Sequence, residues 1–179
     1  MIYRIVTLAA GASLALGAAA LAKPAPAAGL MTPIRQFIDS FNKGDIKTAE
    51  ATHVAAPTII DEVAPHHWQG QGAFQAWAGD LDKDAKAKGQ TDEKVTLGRV
   101  VRSQVDGDTG YAVVRATFSY NEKGKPMTEP AQMVFSLHKE TGGWKITGWT
   151  WAGTIPHEVK PAAPAAPAAA PAPAAKPKT

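Results

Sequence analysis

Asp61 is the residue best placed to do chemistry. It lies in the run Thr58-Ile59-Ile60-Asp61-Glu62-Val63, whose β-rich content, following Pro57, predicts a short strand. Side chains alternate along a strand, which would put Ile59, Asp61 and Val63 on one face and Thr58, Ile60 and Glu62 on the other. A carboxylate among apolar neighbours is desolvated, and its pKa rises toward the range where it can take and return a proton near neutral pH. The plainer reading is a strand-end carboxylate satisfied by backbone donors or by His66 or His67. His53 is the second candidate, either as an acid/base partner to Asp61 or as a pocket-lining or helix-end histidine.

Other chemistries find less support. His53, His66 and His67 with Asp61 and Glu62 have ligand types suited to zinc or iron. Their spacing matches no recognised metal motif, and adjacent histidines such as His66 and His67 rarely aim at one ion, so neither a metal nor a cofactor is expected. The sequence has no phosphate-cradling glycine loop, nucleophile elbow or paired-cysteine motif. Trp68, Trp77, Trp144, Trp149 and Trp151 are many indoles for so small a chain. Alternation along the last strand would put Trp149 and Trp151 on one face and Trp144, Ile146 and Thr150 on the other. This suggests an aromatic wall for a flat or sugar-like ligand, with core packing as the alternative. Arg99, Arg102 and Arg115 could hold a ligand carboxylate, although arginines pointing out of a half-exposed sheet are commoner.

The elements that would position these groups follow from periodicity. Pro33 followed by Ile34, Phe37, Ile38 and Phe41 draws one apolar stripe on a helix that ends at Asn42-Lys43-Gly44. Asp45 caps a second short helix, expected to run to about His53 or Val54. Pro65 to Gly72 reads as a loop. Phe74, Trp77, Ala78 and Leu81 mark a third helix over Ala73 to Lys88. From Lys94 onward the period becomes two. Turn clusters at 106–110, 121–125 and 140–143 delimit four strands, about Val95–Val105, Gly110–Asn121, Ala131–Lys139 and Trp144–Ala152. Short turns between consecutive strands imply an antiparallel meander with one apolar face that helices must cover.

This order of elements resembles the NTF2-like superfamily and its SnoaL-like domains, which include ketosteroid isomerases and polyketide cyclases. The phrases that carry the resemblance are Phe41-Asn42-Lys43-Gly44-Asp45, Pro57-Thr58-Ile59-Ile60-Asp61, Gly70-Gln71-Gly72-Ala73-Phe74-Gln75-Ala76-Trp77 and Gly143-Trp144-Lys145-Ile146-Thr147-Gly148-Trp149. It implies an α+β fold, an NTF2-like cone in which three N-terminal helices pack on a curved antiparallel β-sheet around one pocket. Similar domains often dimerise through the outer sheet face, so a homodimer is an expectation. The resemblance also puts Asp61 where the isomerases carry their general base. The isomerase tyrosine falls on Phe37, which has no hydroxyl, and the late-strand acid falls near Gln132 or Met133, neither a carboxylate. Steroid-type isomerisation is therefore disfavoured, since losing one oxyanion donor costs roughly a hundredfold or more in rate. Gln132, Tyr111, Tyr120 or an indole N–H would be the remaining donors. The expected ligand-lining set is Phe37, Trp77, Gln132, Trp149 and Trp151.

The 179-residue chain has no cysteine, and 45% of its residues are apolar. Its formal charge is +3. From Leu30 to Val159, however, 14 basic residues meet 16 acidic ones, a balance that argues against a nucleic-acid partner. Residues 1–22 read as a signal peptide, with Arg4 before an apolar run and Ala20-Leu21-Ala22 as the cleavage site. Cleavage would leave no stable membrane anchor and a periplasmic or secreted protein. Residues 23–31 form a linker and 32–158 the folded domain. In the tail over 159–179, the stretch Lys160–Thr179 holds ten Ala, six Pro and three Lys, and its prolines break any helix the alanines could start. The functional expectation is an exported domain binding a small, partly apolar molecule. The alternatives are a cofactor-free isomerase, cyclase or dehydratase using Asp61 as base, and a protein interaction module using the sheet face.

Overall fold

The computed structural model describes residues 29–159; the expected signal peptide, most of the linker and nearly all of the Ala/Pro tail lie outside the described residues. The elements are α1 (Met31–Phe41), α2 (Ile46–Glu50), β1 (His53–Ile60), β2 (His67–Gln69), α3 (Ala73–Lys88), β3 (Gln90–Asp106), β4 (Thr109–Glu122), β5 (Lys125–Glu140), β6 (Gly143–Gly153) and β7 (His157–Glu158). No helix among them is long and apolar enough to cross a membrane.

The fold is α+β, with a mostly antiparallel sheet ordered β2-β1-β6-β5-β4-β3 and β7 paired to β5. The meander β3–β6 is antiparallel throughout. One junction is parallel: β1 lies along β6, with Ile59 opposite Trp149. Only α1 and α2 precede the sheet, while α3 follows the β1–β2 hairpin. This corrects the expectation of three N-terminal helices. The stripe Ile34, Phe37 and Ile38 of α1 is buried against Phe74 and Trp77 of α3 and against Ala112, Val114, Met133, Phe135, Ile146 and Trp149 of the sheet.

Capping explains the helix boundaries. Asp45 accepts the Thr48 amide at 3.0 Å and starts α2. α2 then stops at Glu50, earlier than expected, because Thr52 and His53 turn into β1; His53 is opposite Ile146. β1 therefore begins five residues before the expected strand and ends at Ile60, and the expected loop at Pro65–Gly72 contains β2. β5 also begins earlier than expected, at Lys125. Its first residues pair with the end of β4, so Pro126 and Pro130 lie within a strand.

A bulge changes the reading of β6. Ile146 pairs with Leu137 and Gly148 with Ser136, so Thr147 is an extra residue between adjacent partners. Past it the inward face resumes at Trp149. Ile146 and Trp149 are therefore both buried, and Trp144 and Trp151 pack against the same core. The alternation expected for the last strand is broken at that point.

Candidate functional site

The chain leaves β1 at Ile60 and folds back: the Asp61 amide donates to the His66 carbonyl at 3.1 Å and the His66 amide to the Val63 carbonyl at 2.8 Å. Asp61 thus sits one residue past the strand, where strict alternation no longer holds. The result is that Asp61, Glu62 and Val63 all line one pocket. The pocket is a half-open cleft with a cavity volume of about 50 Å³, otherwise bounded by Phe37, Ile38 and Phe41 of α1, Trp77 and Leu81 of α3, and Val95, Phe118, Met133, Trp149 and Trp151 of the sheet.

Asp61 is oriented by two donors. Trp77 Nε1 donates to Oδ2 at 2.8 Å and the Glu62 amide to Oδ1 at 2.6 Å. Desolvation raises its pKa, while the indole and backbone hydrogen bonds oppose the rise. Asp61 is hydrogen-bonded, as expected for a strand-end carboxylate, and it also lines a largely apolar pocket. His66 Nδ1 lies near the Asp61 carbonyl at 3.3 Å, not its carboxylate.

Phe37 is the centre of an aromatic cluster. Its ring centroid lies 5.5 Å from Trp149, 5.9 Å from Phe74, 6.2 Å from Trp77 and 4.9 Å from the His53 imidazole. His53 itself does not line the pocket. It is buried between Phe37 and Phe74, with Nδ1 3.1 Å from the Ala49 carbonyl and from Thr52 Oγ1, and Nε2 without a hydrogen-bond partner. Burial lowers its pKa to about 4, so the ring is neutral at pH 7. Of the expected ligand-lining set, Phe37, Trp77, Trp149 and Trp151 come together at the pocket. Gln132 is exposed, opposite Arg115 on β4 and Ala152 on β6, and does not line it.

Sequence reasoning missed Glu129. It is fully buried, and its Oε1 accepts Trp151 Nε1 at 2.9 Å. Glu129, Ala131 and Met133 alternate on the inward face of β5, so extending the period of two backward from Met133 would have found it. Pro130 concealed that register, because a proline normally argues against a paired strand. Glu62 faces Glu129. Burial, and then the neighbouring Glu129 carboxyl group, push Glu62 up to about 7. No cluster of three or more metal-ligating side chains occurs among the described residues.

A family model for the SnoaL-like domain matches residues 31–150. The chain belongs to the SnoaL-like domain family, whose fold is NTF2-like. No curated protein matches the sequence. Among solved structures it is similar to the hexachlorocyclohexane dehydrochlorinase LinA-type3 from Novosphingobium barchaimii, with TM-score 0.63 and 10% identity over 74% of this chain and 88% of that one. It is also similar to a ketosteroid isomerase-like protein from Erwinia carotovora atroseptica, with TM-score 0.53 and 16% identity over 75% and 96%. An NTF2-like protein with a cystatin-like fold from Novosphingobium aromaticivorans gives TM-score 0.55 and 17% identity over 67% and 76%. At these identities the likeness is one of fold.

Proposed function

We propose that this chain is an exported SnoaL-like domain protein whose pocket binds a small, partly apolar molecule. The observation that carries the proposal is the pocket itself, apolar and aromatic on most sides with carboxyl groups at one edge. A few placed polar groups in an otherwise apolar concavity are what orient a small ligand. The test is native mass spectrometry of the mature protein, expected to begin at Lys23, purified from its host's envelope fraction. A retained small molecule is the expected result. A chain recovered only from the cytoplasm with its first 22 residues intact would refute export, and a pocket that binds no apolar probe would refute the binding reading.

Turnover is the second reading, favoured by the setting of Asp61. A carboxylate at a pocket wall, fixed by Trp77 and raised by desolvation, is suited to proton abstraction from a bound carbon acid. Removing hydrogen and chlorine, as the name of the dehydrochlorinase describes, likewise needs a group to accept the proton. Asp61→Asn is expected to abolish turnover and preserve ligand binding; full activity in that variant would exclude Asp61 as the base. Isomerisation of the steroid type is not part of the proposal, because Phe37 offers no hydroxyl and Gln132 is outside the pocket. A homodimer through the outer sheet face accompanies the proposal, supported by exposed Ile60 and Tyr111 beside Val134 and Thr150.

A further inference from the structure

Glu129 is built into the sheet at the expense of a neighbour. A β-carbon at Gly153 would stand 1.5 Å from Glu129 Oε1, so the carboxyl group occupies the space of the missing side chain. Oε1 is held by Trp151, whereas Oε2 has no hydrogen-bond partner although the residue is fully buried. A buried carboxylate oxygen with no partner is costly, and such a group normally meets a counter-charge or a proton. Glu62, whose carboxyl group interacts with that of Glu129, lines the pocket itself.

The charges around this pair are one-sided. Asp61 adjoins Glu62, and buried Tyr120 faces both glutamates from β4. From α3, Asp84 and Lys88 also face Glu62, but Lys88 Nζ is bound to Asp84 at 2.6 Å. Among the described residues no Lys, Arg or His lines the pocket, whereas six aromatic rings do. Aromatic faces attract cations, more strongly where water is excluded.

We propose that the ligand is an apolar molecule bearing a positively charged amine, its nitrogen against Glu62 with Glu129 behind it and its body among the aromatic rings. This rests on the reading of the pocket as a ligand site. In the empty pocket Glu62 carries a proton below about pH 7, which an ammonium group displaces on binding. Affinity therefore rises as pH increases through about 7, the value to which Glu62 is pushed, and holds until the amine itself loses its proton near pH 10.

The test is isothermal titration of the full mature chain with 2-phenylethylammonium, 2-phenylethanol and 3-phenylpropanoate, at pH 6 and pH 8. At pH 8 the ammonium should bind at least about tenfold more tightly than the alcohol, a factor worth about 1.4 kcal/mol, with the carboxylate weakest. Its lead should shrink severalfold at pH 6 and vanish in Glu62→Gln. Because the pH comparison uses the unaltered chain, a folding defect in any variant leaves the test intact. If the alcohol or the carboxylate binds as tightly as the ammonium at pH 8, the pocket reading stands, the cation inference is overturned, and the two glutamates have a structural role. If none of the three binds, both readings are overturned.

Discussion

Two single groups, one at the pocket wall and one in the core behind it, carry predictions about pH. Trp77 Nε1 stabilises the ionised form of Asp61, so Trp77→Phe should shift the Asp61 titration upward. Carbon-detected NMR of the side-chain carboxyl would show it, and an unchanged or lower midpoint would contradict the assigned hydrogen bond. His53 works in the opposite sense. Burial holds its folded pKa at about 4, below the ordinary imidazole value of 6.5, so the unfolded chain binds the proton more readily. The stability contributed by neutral His53 is present above pH 6.5 and is lost as pH falls toward 4. Between pH 7 and pH 5 this one group should remove about 2 kcal/mol. The difference in urea midpoint between the wild type and His53→Gln is expected to change by a corresponding amount over that interval.

At the level of elements, two features hold the helices and the first hairpin to the meander. The Asn42 side chain donates to the Val95 carbonyl and accepts the Val95 amide, both at 2.8 Å, clamping the end of α1 to β3. Asn42→Ala should lower stability by about 1–3 kcal/mol, since a partly buried amide and carbonyl lose their partner. Where β1 runs beside β6, a β-carbon at Gly148 would lie 2.8 Å from the Thr58 carbonyl oxygen. The obstacle is backbone, so Gly148→Ala should cost roughly 1–3 kcal/mol through forced separation of the parallel pair. Thermal denaturation checks both variants. These contacts also explain what the sequence revealed. The α1 stripe, α3 and the four-stranded meander were legible because apolar period and turn residues are local signals. The start of β1 was not, because His53 pairs with Ile146, far along the chain. Neither was the bulge at Thr147, which depends on a partner strand. In the site, Asp61 and four of the aromatic residues could be found from register. Glu62 entered the pocket through a fold-back after β1 that alternation could not anticipate, and Glu129 was hidden by its adjacent proline.

The whole molecule closes its core on one side and leaves an apolar patch on the other. Ile60 at 45% exposure and Tyr111 at 40% are among the most open large apolar residues of the outer face. For the proposed dimer, Tyr111→Glu should convert the particle to a monomer by light scattering, with the fold retained by circular dichroism; a wild type already monomeric at high concentration would remove the dimer from the proposal. The indole groups have another consequence for the intact protein. Trp77 donates to Asp61, Trp68 to Asp80 and Trp151 to Glu129. The Asp61 pKa is raised by desolvation, and that of Asp80 is lowered by its Trp68 and Lys83 partners. As acid is added, the chromophore beside Asp61 loses its neighbouring negative charge before the one beside Asp80 does. Intrinsic emission should therefore change in steps at separate pH values, making the protein its own optical indicator of which carboxyl group has taken up a proton.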